Sequence, residues 1–256
     1  MNKPTIQILH GDSLQLAQTI QGGKAALVYL DPPFFSGRQR RNSAAGPAYE
    51  DRWSSFDEFL QFIESLVNAG KRLLSEHGIL ILHLDWRASH HGRMILESAF
   101  GVDAFVNEII WSYRTGGLSK RWLGRKHDTL HVFANGPEHT FNVLKEKSYL
   151  AHKYGFSNIE ILEDEKGPYT MVSLKDVWEI PALRGNQKEH VGYPTQKPLA
   201  LLARIVDVFT AEGDLVIDLC CGSGTTLQAA KNRGRNAIGI DANKDAVAIC
   251  HRRLSI

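Results

Sequence analysis

The feature that most restricts this chain is an alternation between two hydrophobic periods, interrupted once. Short apolar runs at residues 6–9, 26–30, 79–84 and 106–113 are separated by segments at 13–20, 56–74 and 88–99 in which apolar side chains recur every three or four positions. The alternation resumes at 198–210, 215–220, 225–233, 236–241 and 243–254. Strands joined through helices pair in parallel, and a strand that is apolar throughout must be covered on both faces. The expected fold class is therefore α/β, with a largely parallel sheet and helices on both of its faces.

Between the two blocks, residues 114–193 carry one clear strand at 129–134 and otherwise mixed polar, aromatic and glycine-containing stretches without a sustained period. A long irregular segment inside a compact domain is usually functional or a small subdomain. The chain thus divides into residues 1–113, 114–193 and 194–256, and its 256 residues suit one large domain with a small insertion. Residues 38–52, polar and glycine-containing, read as a loop.

Composition removes several function classes. No apolar run is long enough to span a bilayer, and residues 1–9 lack the basic-then-apolar pattern of a secretory signal, so the expectation is a soluble, cytoplasmic protein. Three cysteines, two of them adjacent (Cys220, Cys221), supply neither a disulfide framework nor zinc-ligand spacing, and His90 with His91 lacks a second ligand pair, so no metal is assigned. The formal charge of +2 is too small to announce a polyanionic partner, but the cations are clustered. Arg38, Arg40 and Arg41 form one group, and Arg114, Lys120, Arg121, Arg125 and Lys126 form another. Each group reads either as a solvated loop or as a surface for phosphates.

Two motifs carry chemistry. In VIDLCCGSGTT (216–226) a strand leads through Gly222 and Gly224 to a helix starting near Thr225. Glycines there permit close backbone approach to a ligand, and the N–H groups of the helix start favour an anionic group. Asp241 ends the next strand, 19 residues after Gly222, where an acid can take both hydroxyls of a ribose. The pattern describes a nucleoside pocket or, alternatively, a tight turn with a structural aspartate. Leu227 stands where a dinucleotide fingerprint has its third glycine, which disfavours NAD.

The second motif is Asp31-Pro32-Pro33-Phe34, directly after the strand at 26–30. Its position is the carboxyl edge of the sheet, where open α/β folds bind ligands. An aromatic amine delocalises its lone pair into the ring, so attack on an electrophile requires the nitrogen to become tetrahedral. One acceptor for each N–H favours that change: the Asp31 carboxylate and the Pro32 carbonyl, held by proline backbones that add no competing donor. Phe34 offers a face on which a base can stack. A proline-rich turn with buried phenylalanines is the plainer alternative.

The order of these motifs resembles the beta class of S-adenosylmethionine-dependent DNA amino-methyltransferases, in which a catalytic [DNS]PP[YFW] motif precedes the cofactor glycine loop and target recognition lies between them. Further segments similar to that class are HGDSL (10–14), GILILHLDWR (78–87), NEIIWSYRTGG (107–117), KHDTLHVFA (126–134) and GYPTQKP (192–198). The resemblance implies a Rossmann-like class I methyltransferase fold with circularly permuted motif order and a small target-recognition insertion. It implies that Asp31, Pro32, Pro33 and Phe34 hold the target base. It also implies that Asp12 lies near the adenine of S-adenosylmethionine, Thr195 and Lys197 near its carboxylate, Gly222 and Gly224 along its methionine portion, and Asp241 on its ribose, with Asp218, Ser223 and Thr225 as further cofactor-binding residues. Leu219 and Cys220 replace the proline and phenylalanine usual in the glycine loop, and Tyr193 replaces a common histidine.

The reaction implied is direct methyl transfer to the exocyclic amine of a base flipped out of duplex DNA. Aspartate at the head of the motif resembles adenine-N6 members more than the serine typical of cytosine-N4 members. Cytosine N4, an RNA adenine, a catalytically silent nucleic-acid-binding subunit and a nucleotide-dependent oxidoreductase are the alternatives. Expected partners are double-stranded DNA and no membrane, with a homodimer and a cognate restriction endonuclease as further options in such a class.

Overall fold

The computed structural model describes residues 3–36, 39–40, 49–50, 53–113, 120–149 and 159–256. In chain order the elements are β1 (Ile6–His10), α1 (Ser13–Thr19), β2 (Ala25–Leu30), a short pair β3 (Gln39–Arg40) and β4 (Tyr49–Glu50), α2 (Phe56–Leu73), β5 (Leu74–Leu84), α3 (Ser89–Phe100), β6 (Phe105–Ser112), β7 (His127–Ala134), β8 (Lys145–Tyr149), β9 (Leu162–Asp164), β10 (Gly167–Ser173), β11 (Val177–Glu179), α4 (Leu199–Phe209), β12 (Leu215–Asp218), α5 (Thr225–Asn232), β13 (Asn236–Asp241) and α6 (Lys244–Leu254). No helix among the described residues is long and apolar enough to cross a membrane.

The main sheet has the order β1-β13-β12-β2-β5-β7-β6-β11. The five strands from β1 to β5 are mutually parallel, β7 runs against both β5 and β6, and β11 returns parallel to β6. Strand β2 shows why both faces are covered. Leu27 and Tyr29 pack with α4, α5 and α6, whereas Val28 and Leu30 pack with α1, α2 and α3. Alternate side chains of one apolar run therefore enter two separate cores.

The step from β2 to β12 positions the site. Val216 lies opposite Leu27 and Asp218 opposite Tyr29, so the segments that follow, Asp31–Phe34 and Leu219–Gly224, leave the sheet side by side at its carboxyl edge. Helix α2, the next helix after Asp31–Phe34, starts at an N-cap where Ser55 Oγ accepts the Glu58 N–H (3.1 Å).

The middle region holds more order than its pattern predicts. Strands β8, β10 and β9 form a separate antiparallel sheet, and β11 joins the main sheet with Trp178 buried. In β8 the sequence KEKSY alternates only between exposed and half-buried positions, so no apolar period marks it. Strand β5 also begins earlier than the apolar run at 79–84, because its pairing with β2 shifts register between Ala25↔Leu74 and Leu27↔Ile79.

That irregularity requires Gly78. A Cβ on Gly78 would stand 2.6 Å from the Ala25 carbonyl oxygen and 2.8 Å from Leu74 Cδ2, and a strand backbone cannot yield without losing its ladder. Gly78→Ala is expected to destabilise the protein by about 1–3 kcal/mol in urea unfolding. Gly185→Ala, where a Cβ meets nothing within 4 Å, should cause no loss.

Candidate active site

A cavity of about 880 Å³ opens at the carboxyl edge between β2 and β12. Asp31, Pro32, Pro33 and Phe34 line one side, and Thr195, Lys197, Asp218, Gly222, Ser223, Thr225 and Asp241 line the other. Two of the cofactor candidates lie outside this lining. Asp12 caps α1, accepting the Gln15 N–H at 2.8 Å, and its neighbour Ser13 reaches the cavity instead. Gly224, at φ 78°, is the N-cap of α5, and a Cβ there would collide with Cys250 Sγ. It therefore shapes the turn from behind.

The turn itself is braced. Gly222 adopts φ 50°, a left-handed conformation that favours glycine, with the Tyr193 ring 3.0 Å from where its Cβ would stand. Asp241 Oδ2 accepts the Gly222 N–H at 2.7 Å, and its Oδ1 accepts the Asn243 N–H at 2.8 Å. Each oxygen keeps a further lone pair for the cavity. The aspartate is thus structural in its present bonds, as the plainer reading of the motif expects, and it also lines the cavity.

Lys197 lines the cavity and has a partner there that its motif did not indicate. Its Nζ donates to both oxygens of Asp31, at 2.7 and 2.5 Å, and lies 5.1 Å from the centroid of the Phe34 ring. The side chains of the pair are only 12% and 17% exposed, which leaves little water to screen it. The ammonium holds the carboxylate in one orientation while each oxygen retains an acceptor site.

Beneath this pair runs a buried polar chain that the motifs did not single out. Tyr29 Oη contacts His83 Nδ1 at 2.7 Å, His83 Nε2 contacts Asp128 Oδ2 at 3.3 Å, and Tyr113 Oη donates to Asp128 Oδ1 at 3.0 Å. His83 Nδ1 is also 3.9 Å from Asp31 Oδ1. Burial raises the Asp128 carboxyl, but hydrogen bonding and charge from His83, with Lys197 and Tyr113, outweigh it and hold the group below its ordinary range. Burial, followed by the charge of Asp31, pushes the Tyr29 phenol well up. A signal was available: His83 is a lone polar residue inside the apolar run of GILILHLDWR.

The cavity is acidic overall. Asp31, Asp85, Asp128, Asp218 and Asp241 face it against Arg87, Arg125 and Lys197. Burial raises both Asp85 and Asp241. Such a lining suits a cofactor with excess positive charge, and the glycine turn with its free approach suits a nucleoside. Burial also raises the thiols of Cys220 and, together with a Cys250 hydrogen bond, Cys221, so neither is poised as a nucleophile.

Of the basic candidates, Arg125 reaches the cavity, while Lys120 and Arg121 are exposed and Lys126 is half-buried outside it. Arg38, Arg41 and Arg114, and the side chain of Arg40, lie outside the described residues, as does most of the 38–52 loop.

Residues 25–252 match the family profile described as DNA methylase, of the N6/N4 type. A Type II methyltransferase of Streptococcus pneumoniae, M2.DpnII, is 28% identical over 99% of this chain and 91% of its own. The DNA adenine methyltransferase YhdJ of Escherichia coli is 26% identical over 97% of this chain and 82% of its own. Among solved structures, the M1.HpyAVI complex with S-adenosylmethionine superposes with a TM-score of 0.69 at 22% identity, covering 98% of this chain and all of that one, which shows the shared class I fold.

Asp218 gives the site a measurable signature. Burial, with the charges of Asp31 and Asp241, pushes its carboxyl from 3.8 up to about 7, against hydrogen bonds from Thr226 and the Cys220 N–H that lower it. A raised carboxyl favours the folded state while protonated, so this contribution is full below pH 3.8 and is lost as the pH rises to about 7. Asp218→Asn is expected to remove that slope, changing the stability difference from wild type by on the order of 4 kcal/mol between those limits, as read by urea unfolding at stepped pH.

Proposed function

Because this chain belongs to the N6/N4 DNA methylase family, which methylates DNA amines from S-adenosylmethionine, we propose that its target is adenine N6, presented as a base flipped from duplex DNA. Support comes from one arrangement: Asp31, at the head of the DPPF motif and paired with Lys197, shares a cavity with the Gly222 turn. The aspartate rather than serine at that position, and the similarity to a protein named as a DNA adenine methyltransferase, favour adenine over cytosine.

S-adenosylmethionine supplies, when bound, an electrophilic methyl on sulfur; the new N–C bond replaces the C–S bond, and the amine gives up one proton. The chain's own part is positional and electrostatic. Asp31 accepts one amine hydrogen through the lone pairs that Lys197 leaves free, and the Pro32 carbonyl accepts the other. Phe34 lies against the base. Gly222, Ser223 and Thr225 line the methionine portion, Asp218 the same turn, Asp241 the ribose, and Thr195 the carboxylate end of the cofactor. Asp12 is assigned to the adenine side through α1, and Gly224 to the shape of the turn.

Residues 114–193 serve target recognition in this reading, between the catalytic half (1–113) and the cofactor half (194–256). Lys120, Arg121, Arg125 and Lys126 meet phosphates, which position a duplex without reading its sequence, and Arg38, Arg40, Arg41 and Arg114 join them. The Type II description of the Streptococcus relative supports a setting with a cognate restriction endonuclease, and a homodimer completes the proposal.

The test is transfer of tritium from labelled S-adenosylmethionine to unmethylated duplex DNA, followed by nucleoside analysis. Labelled N6-methyladenine is the expected product, and N4-methylcytosine would replace the adenine reading. Asp31→Ala is expected to lower kcat by about 10²–10³-fold or more. Undiminished labelling in that variant would remove Asp31 from the mechanism.

A further inference from the structure

The mouth of the cavity carries aromatic side chains that no step above uses. Just past β5, Asp85 is buried and accepts both the N–H (3.0 Å) and the guanidinium of Arg87, which fixes this corner. Between them Trp86 remains 41% exposed. The Arg125 guanidinium carbon lies 3.5 Å from the centroid of the Trp86 ring and 5.3 Å from that of Trp122, which is 56% exposed. Trp86 and Arg125 line the same cavity as Asp31 and Phe34.

Two exposed indoles gathered around one guanidinium are a costly surface for water alone. They match what unstacked nucleobases bind: flat π faces with a cation beside them for the backbone. Removing one base from a duplex exposes the faces of its neighbours and orphans its partner. Phe34, in the same lining, has a different neighbour: its ring lies 6.0 Å from that of buried His83.

We propose that Trp86, Arg125 and Trp122 form a stacking platform at the cavity mouth for a second, unmethylated base of the target DNA, one unstacked when the first is flipped. The proposal rests on the DNA-methylating reading above, in which flipping one base opens the duplex.

Two single-stranded probes test it: a mixed-sequence 12-nucleotide DNA and an abasic deoxyribose-phosphate chain of equal length. The base-bearing probe should quench tryptophan fluorescence and bind about tenfold more tightly than the abasic one. Trp86→Ala and Trp122→Ala should each abolish most of that advantage and raise KM for duplex DNA about tenfold, with S-adenosylmethionine binding unchanged. Trp122→Phe should retain most of both, which separates stacking from a folding defect. Equal binding of the two probes by a wild-type protein that still methylates DNA would overturn the platform alone and leave a phosphate contact. Failure of the wild-type protein to methylate any DNA would overturn the reading beneath it.

Discussion

The constraint on which this structure depends is the parallel pairing of β2 with β12. Asp218 stands opposite Tyr29, so two loops far apart in sequence emerge at the same height from the same edge. Neither loop makes a site alone. The Asp31–Phe34 corner and the Gly222 turn line one cavity because this register brings them to the same edge. Helices on both faces bury the two strands, and that burial converts a register into a fixed distance between reacting groups.

Electrostatics then refine what register establishes. The carboxylates at this edge would repel one another if all were charged in a water-poor space. The structure answers each differently. Asp31 is paired with Lys197, Asp128 is held by His83 and Tyr113, Asp241 takes two backbone N–H groups, and Asp218 is raised toward its neutral form. Partners hold Asp128 below its ordinary range, whereas burial outweighs them at Asp218 and Asp241, and the cation paired with Asp31 comes from the opposite end of the chain.

Much of this was legible in the sequence, for reasons that can be located. Elements such as β2 and α4 are readable because most of their residues are buried and their periods are clean. DPPF and GSG were readable because proline and glycine restrict or free the backbone in ways few roles require. The sheet of β8, β9 and β10 was not, since its short strands bury little and alternate among polar residues. The Lys197–Asp31 pair was not readable either, because partnership across 166 residues leaves no trace in local spacing. Trp86 and His83 were hidden inside a segment whose apolar character explained it well enough as a strand.

The same register carries a consequence for how the protein is made. Strand β2 gains its β12 neighbour, and β1 its β13 neighbour, only when segments roughly two hundred positions downstream have left the ribosome. Until then one flank of β2 is an open ladder of unpaired peptide groups, a state prone to misassembly and slow to resolve. Completion of the cavity is in this way deferred until β12 and β13 have been made, and a chain interrupted before β12 would hold its DPPF corner with no counterpart beside it.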